Sequence, residues 1–242
     1  MRIDERHEFL GHYVKAAATG QFGIAGFQRE YAWNKNDIEK FLESVCDQLP
    51  IGGFLLWNLS RDQVGDRHLS KGRIGPIIHD TNTSTLILDG QNRLSSILWA
   101  ARVAEAPDTP AHAYSKAEVE AWRSGQTLVA DSAERRMHFV PDAASRSSTR
   151  FPLGRIMAGT MLQIVRTVDI FDEMQLAGIP DSDLNWFLED VPHYFRTKKT
   201  TVTEISNATA DEAFDVFLRI CRTGQPVTDD DIAAARRWMT GS

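Results

Sequence analysis

Between Leu86 and Ala100 the chain reads LILDGQNRLSSILWA, and no other stretch restricts the fold as much. Leu86, Ile87 and Leu88 form the short apolar run of a buried strand. Apolar residues then recur at Leu94, Ile97, Leu98 and Ala101, a helical spacing. Asp89 is placed to cap that helix and Gly90 to turn the backbone sharply, which puts Gln91, Asn92 and Arg93 in the first turn. Unpaired N–H groups and the helix dipole favour an anion there. A strand, an acid, a glycine and an early arginine fit a phosphate site; they equally fit an ordinary strand-to-helix turn with Arg93 paired to Asp89 or to solvent.

The second chemistry-bearing cluster is FQREYAW, residues 27–33. Arg29 can grip a phosphate through two parallel hydrogen bonds, and Gln28 supplies an amide. Tyr31 and Trp33 can stack on a base or serve as core anchors. A helix capped by Asn34 or Asn36 follows and runs through Leu49, with Ile38, Phe41, Leu42 and Val45 inward and Pro50 ending it. Residues 51–59 read as a buried strand entered through a glycine pair that lets backbone approach a neighbour or a ligand.

The remaining elements are placed more coarsely. Residues 5–18 carry a helical stripe closed by Gly20, and residues 60–76 read as a charged loop crossing the site. Turn residues at 81–84 join Ile77 and Ile78 to the Leu86 strand as a hairpin. A weakly amphipathic stretch lies near Val119 and Trp122, RMHFV at 136–140 reads as a strand, and 142–150 as a polar linker. Helical patterns follow near 153–166, 167–177, 181–195 and 209–221. TTVTEI at 200–205 interrupts them as a strand able to return to the first half's sheet. The expected fold is α/β, a small mixed sheet with helices in residues 1–145, followed by a mainly helical half, 146–242, packed on it.

Composition limits function. The 242 residues can bury a sizeable core, and no apolar stretch approaches membrane-spanning length. The polar N-terminus is unlike a signal sequence, so a cytoplasmic location is expected. The net charge of −6 argues against a whole-surface nucleic-acid binder while leaving room for a local basic groove. Basic clusters at Arg135–Arg136, at Arg196, Lys198 and Lys199, and at Arg236–Arg237 read first as solvated faces. Cys46 and Cys221 read as buried thiols, and the seven scattered histidines form no metal-ligand pattern.

Three blocks in this order, FQREYAW, PIGGFLLW at 50–57 and LILDGQNRLSSI at 86–97, resemble the N-terminal domain of GmrSD-type restriction endonucleases, a family also found in SspE-type phage-defence proteins. The resemblance continues at Phe151–Leu153 and at residues 211–232. It implies a nucleotide-binding fold related to ParB and sulfiredoxin, and an NTP-binding, NTP-hydrolysing role in DNA restriction. It further implies that Asp89, Gly90, Gln91 and Arg93 form the DGQQR motif, with Gln28 and Arg29 facing it. On that reading Asp89, Gln91 and Arg93 are catalytic and Asp89 holds a magnesium ion with the phosphate oxygens. Gln28, Arg29, Tyr31, Trp33, Gly90, Asn92 and Ser95 bind the nucleoside triphosphate. Asn92 replaces the second glutamine, Ala25 a proline, and Cys221 a late asparagine. Two other readings use the same pocket: a nucleotide sensor that gates a separate nuclease subunit, and a nickase acting on DNA.

Overall fold

The computed structural model describes residues 1–28, 31–66, 68–74, 83–100, 115–221 and 233. Its first part holds β1 (Arg2–Phe9), α1 (Leu10–Ala18), β2 (Phe22–Ala25), α2 (Lys35–Cys46), β3 (Phe54–Asn58), β4 (Ser70–Arg73), β5 (Thr85–Asp89) and α3 (Gln91–Ser95). A π-helical turn, Ser96–Ala100, extends α3. Then come α4 (Lys116–Arg123), β6 (Gln126–Asp131), β7 (Arg136–Pro141), β8 (Arg150–Pro152), α5 (Leu153–Thr160), α6 (Thr167–Leu176) and α7 (Asp181–Asn185). A second π turn leads into α8 (Val191–Thr197), β9 (Lys199–Ser206) and α9 (Ala210–Cys221).

A six-stranded mixed sheet in the order β1-β9-β3-β5-β2-β4 organises the chain. Strands β3 and β5 carry unbroken apolar runs, Phe54–Trp57 and Leu86–Leu88, because both faces are covered. Phe54, Leu56, Ile87 and Val202 point into one core with residues of α1, α2 and α8, whereas Leu55, Trp57, Leu86, Leu88 and Ile205 meet Phe27, Phe214 and Phe217 in the other. The strand expected at 200–205 does return to the first half's sheet: β9 lies between β1 and β3, parallel to β3. At one end of this sheet meet the start of β3, the start of β9 and the ends of β5 and β2, and the motif residues gather there.

Several expectations need correction. Residues 2–9 are strand, not the start of a helix; only Ile3 and Phe9 are large and apolar, too few for a buried helical face, and the backbone instead pairs with β9 over eight consecutive positions. The stretch 60–76 contains β4, which pairs with β2 at the sheet's outer edge. The helix after Asn34 ends at Cys46, short of Leu49, with Gln48 in the left-handed region. Asn34 does cap it, its side chain accepting from the Asp37 N–H while the Asp37 carboxylate accepts from the Asn34 N–H. Arg29, Ile77 and Ile78 with the first part of their turn, residues 105–110, Arg236–Arg237 and the Cys221 side chain lie outside the described residues. Cys46 is half-buried, and burial pushes its thiol up to about 12, which leaves it inert at neutral pH.

A second, three-stranded antiparallel sheet, β7-β6-β8, packs its Leu128, Ala130, Met137 and Phe151 into the first core. Two buried polar residues anchor it. Arg123, 1% exposed, donates to the Gln126 carbonyl (2.6 Å), Thr127 Oγ1 (2.8 Å) and Asp142 (3.2 Å), tying α4 to β6. Arg123→Ala leaves those acceptors short of a donor. Because Asp142 is half exposed and water can replace part of the loss, the expected cost is about 1–3 kcal/mol in a denaturant melt.

Asp131 is the second anchor, with its side chain 1% exposed and 2.7 Å from Arg150 Nε. Burial alone would raise its pKa, but the Arg150 hydrogen bond, the N–H groups of Ala133 and Glu134 and the Arg150 charge together hold it below the usual carboxylate value. A carboxyl depressed on folding adds stability above its unfolded pKa, about 3.9, and loses it as pH falls through the folded value. Tm should therefore drop as pH is lowered from about 4. In Asp131→Asn that part of the slope should vanish, and an unchanged slope would place the acid sensitivity elsewhere.

Candidate functional site

β5 delivers Asp89 to the sheet's end, and Gly90 makes the turn into α3. Gly90 has φ +97°, and a Cβ there would lie 2.2 Å from Phe54 Cδ1, so only glycine fits. Gly90, not Asp89, is the N-cap, and no side chain caps the helix. Asp89 instead pairs with Arg93 (Oδ2 to Nη2, 3.2 Å), the i,i+4 alternative left open by the sequence.

Arg93 is held from three sides. Its Nη2 also donates to the Gly53 carbonyl, its guanidinium carbon lies 5.4 Å from the centre of the Phe54 ring, and Gly52 (φ +78°) passes so close that a Cβ would come 2.9 Å from Nη1. Arg93 Nε is buried without a hydrogen-bond partner. The arginine is 15% exposed and Asp89 44%, so the carboxylate presents its surface to solvent while the guanidinium braces it from behind. Thr200 at the start of β9 donates to the Gly52 carbonyl (2.7 Å) and fixes the loop that receives Arg93.

The segment 27–33 does reach this corner. Gln28, 7% exposed, donates to the Leu88 carbonyl, one residue before Asp89. Tyr31 Oη lies 2.7 Å from Ser96 Oγ, which itself donates to the Asn92 carbonyl (2.6 Å), so the tyrosine hydroxyl is the donor. The two motifs, some sixty positions apart, are thus bonded at both ends of the β5-to-α3 corner.

The other candidates occupy different surroundings. Gln91 is buried, Asn92 half-buried, and Ser95 fully buried with its Oγ unpartnered. Trp33 turns toward α2, its ring 5.4 Å from Phe41. There it lines an open groove of about 290 Å³ with Asp37, Lys40, Phe41, Ser44, Pro50 and Ile51. Ile51 adjoins the Gly52 that touches Arg93, so the groove begins beside the site. The described basic clusters are solvated faces, as expected, except at Lys198: Arg135, Arg136 and Arg196 are about half exposed, Arg135 stacking 5.1 Å from the Trp186 ring and Arg136 pairing with Glu134 at 2.5 Å, whereas Lys198 is 5% exposed and burial lowers its pKa.

Sequence reading did not assign roles to Phe54 or Thr200. The glycine pair before FLLW was the available signal, since it marks close backbone approach, but it does not say that Arg93 is what approaches. Among the described residues no three His, Cys, Asp or Glu side chains gather as a metal cage, and no helix is long and apolar enough to cross a membrane.

Uncharacterized protein MJ0686 of Methanocaldococcus jannaschii is 31% identical over 103 residues, which is 41% of this chain and 18% of that protein. The chain therefore matches less than a fifth of that relative's length. The family model described as GmrSD restriction endonuclease, N-terminal domain, matches residues 10–237, nearly the whole sequence. The chain belongs to the GmrSD restriction endonuclease N-terminal domain family.

Proposed function

We propose that this chain is the NTP-binding and NTP-hydrolysing part of a DNA-restriction or phage-defence protein, with a ParB/sulfiredoxin-like core. The observation that carries the reading is the bonding of segment 27–33 to the DGQNR corner, which leaves the Asp89 carboxylate half exposed beside a braced arginine. Asp89 would hold a Mg²⁺ ion, for which one carboxylate beside phosphate oxygens is a suitable donor set, and the ion would offset the charge of the triphosphate. Arg93 holds the carboxylate in line and, with Arg29, offsets phosphate charge. Gln91 orients the attacking water. Gln28, Gly90, Asn92 and Ser95 shape the cradle, and Tyr31 and Trp33 receive the base.

Phosphate release from each NTP with magnesium, compared between the wild type and Asp89→Ala, tests this. Release by the wild type that is lost in the variant supports it, and equal release by both proteins contradicts it.

A second reading, a nucleotide sensor that gates a separate nuclease subunit, is favoured by one observation: Asp89 is the sole carboxylate among the described motif residues, and Arg93 Nη2 is already engaged twice. That reading expects saturable nucleotide binding in calorimetry without turnover. If the pocket instead nicks DNA, supercoiled plasmid incubated with magnesium or manganese relaxes, and Asp89→Ala leaves it intact.

A further inference from the structure

Strand β1 lies outside the residues matched to the family, at the edge of the six-stranded sheet. Its inner side is paired with β9 along Arg2–Phe9 without a bulge, and among the described residues no strand covers its outer side. A regular eight-residue edge with neither proline nor glycine is an open template for another strand. Alternation divides its side chains. Arg2, Asp4, Arg6 and Glu8 share one face, where Arg2–Asp4 (2.7 Å) and Arg6–Glu8 (3.1 Å) already pair along the strand. Met1, Ile3 and Phe9, on the other face, are 56%, 49% and 46% exposed, three of the eight large apolar side chains exposed among the described residues.

We infer that β1 pairs antiparallel with β1 of a second copy of this chain, about a two-fold axis through Glu5, joining the two sheets into one. The charge sequence selects the register. Directly opposed residues must point to the same face, so a two-fold pairing can slip only in steps that keep odd with odd and even with even. With Glu5 on the axis, Arg2 faces Glu8 of the other copy and Asp4 faces its Arg6, giving four opposite-charge pairs per dimer. On the other face Met1 meets Phe9 and Ile3 meets His7. Moving the axis to Asp4 puts Arg2 opposite Arg6 and Asp4 against itself; moving it to Arg6 puts Asp4 opposite Glu8 and Arg6 against itself. The only like pair in the chosen register is Glu5 with its own copy. This self-matching surface is what a closed two-fold contact requires. The inference does not depend on the nucleotide reading, since β1 contributes no residue to that site.

Sedimentation velocity of the full chain from about 1 to about 300 μM tests it, the range appropriate to a small edge contact. The wild type should pass from monomer to dimer. Arg2→Glu changes an exposed side chain that bonds only to Asp4, and circular dichroism checks that it folds. It turns two attractive pairs per dimer into repulsive ones and should weaken association about tenfold or more. Arg2→Glu/Glu8→Arg restores opposite charges and should recover the dimer, and Glu5→Gln should tighten it. A wild type monomeric throughout would overturn the inference and leave the edge to another partner. So would a dimer indifferent to Arg2→Glu, a double variant that stays weak, or a Glu5→Gln protein no tighter than the wild type.

Discussion

Asp89→Ala should lower magnesium-dependent phosphate release by about 100-fold or more, the usual scale for removing one group that stabilises transition-state charge. The same variant should lose little stability. Asp89 is 44% exposed, its side chain pairs with Arg93, and an ion pair at such exposure contributes about 0–1 kcal/mol. Arg93 would not be stranded, because it keeps the Gly53 carbonyl and the Phe54 ring. This separation of activity from stability makes Asp89 the cleaner probe. Arg93→Ala would at once remove the support of the 52–53 loop and expose Phe54, so a drop in turnover there mixes chemistry with folding. Measuring Tm beside turnover separates the two, and a large Tm loss in Asp89→Ala would mean that the carboxylate serves the fold.

Gly90→Ala should be the most destabilising single substitution at the site, at about 2–6 kcal/mol. Two costs add. A backbone at φ +97° is a conformation that alanine adopts only under strain, and its Cβ would sit 2.2 Å from the Phe54 ring, well inside contact distance. Phe54 cannot retreat cheaply, because it is 2% exposed and stacks 5.5 Å from Tyr13 in the first core. Gly52→Ala provides the comparison. It shares a positive φ, but its Cβ would meet Arg93 Nη1 at 2.9 Å rather than the Phe54 ring at 2.2 Å, a milder overlap with a side-chain end, so it should cost less. Chemical denaturation of the two variants checks the order, and equal midpoints would show that the Phe54 contact does not govern the turn.

Much of this corner was legible in the sequence because its signals are local. The apolar triplet before Asp89, the glycine and the helical spacing after it specify strand, turn and helix; Asn34 and Asn36 both offer a cap, of which the structure uses Asn34; the apolar helices after Leu153 follow their periodicity. What escaped depends on partners distant in sequence. β1 has no apolar pattern of its own and exists through its register with β9, about 200 positions away. Asp89 looked like a cap because Asp often is one, but the Gly53 carbonyl and Phe54 draw Arg93 back over the strand end, and the arginine takes the carboxylate with it. Trp33 belongs to the same motif as Tyr31, yet it lies directly before the Asn34 cap and its ring packs on Phe41 of the helix that follows, a contact the motif itself does not announce.

The proposed nucleotide cleft is built by two segments remote in sequence. A crystal structure with a nonhydrolysable NTP and magnesium tests it most directly. The account expects the triphosphate against Asp89 and the Gly90 turn, with Arg29 on its opposite side and the base toward Tyr31 or the Trp33 groove. A nucleotide bound anywhere else on the molecule, or crystals that take up none at saturating concentration, would contradict it.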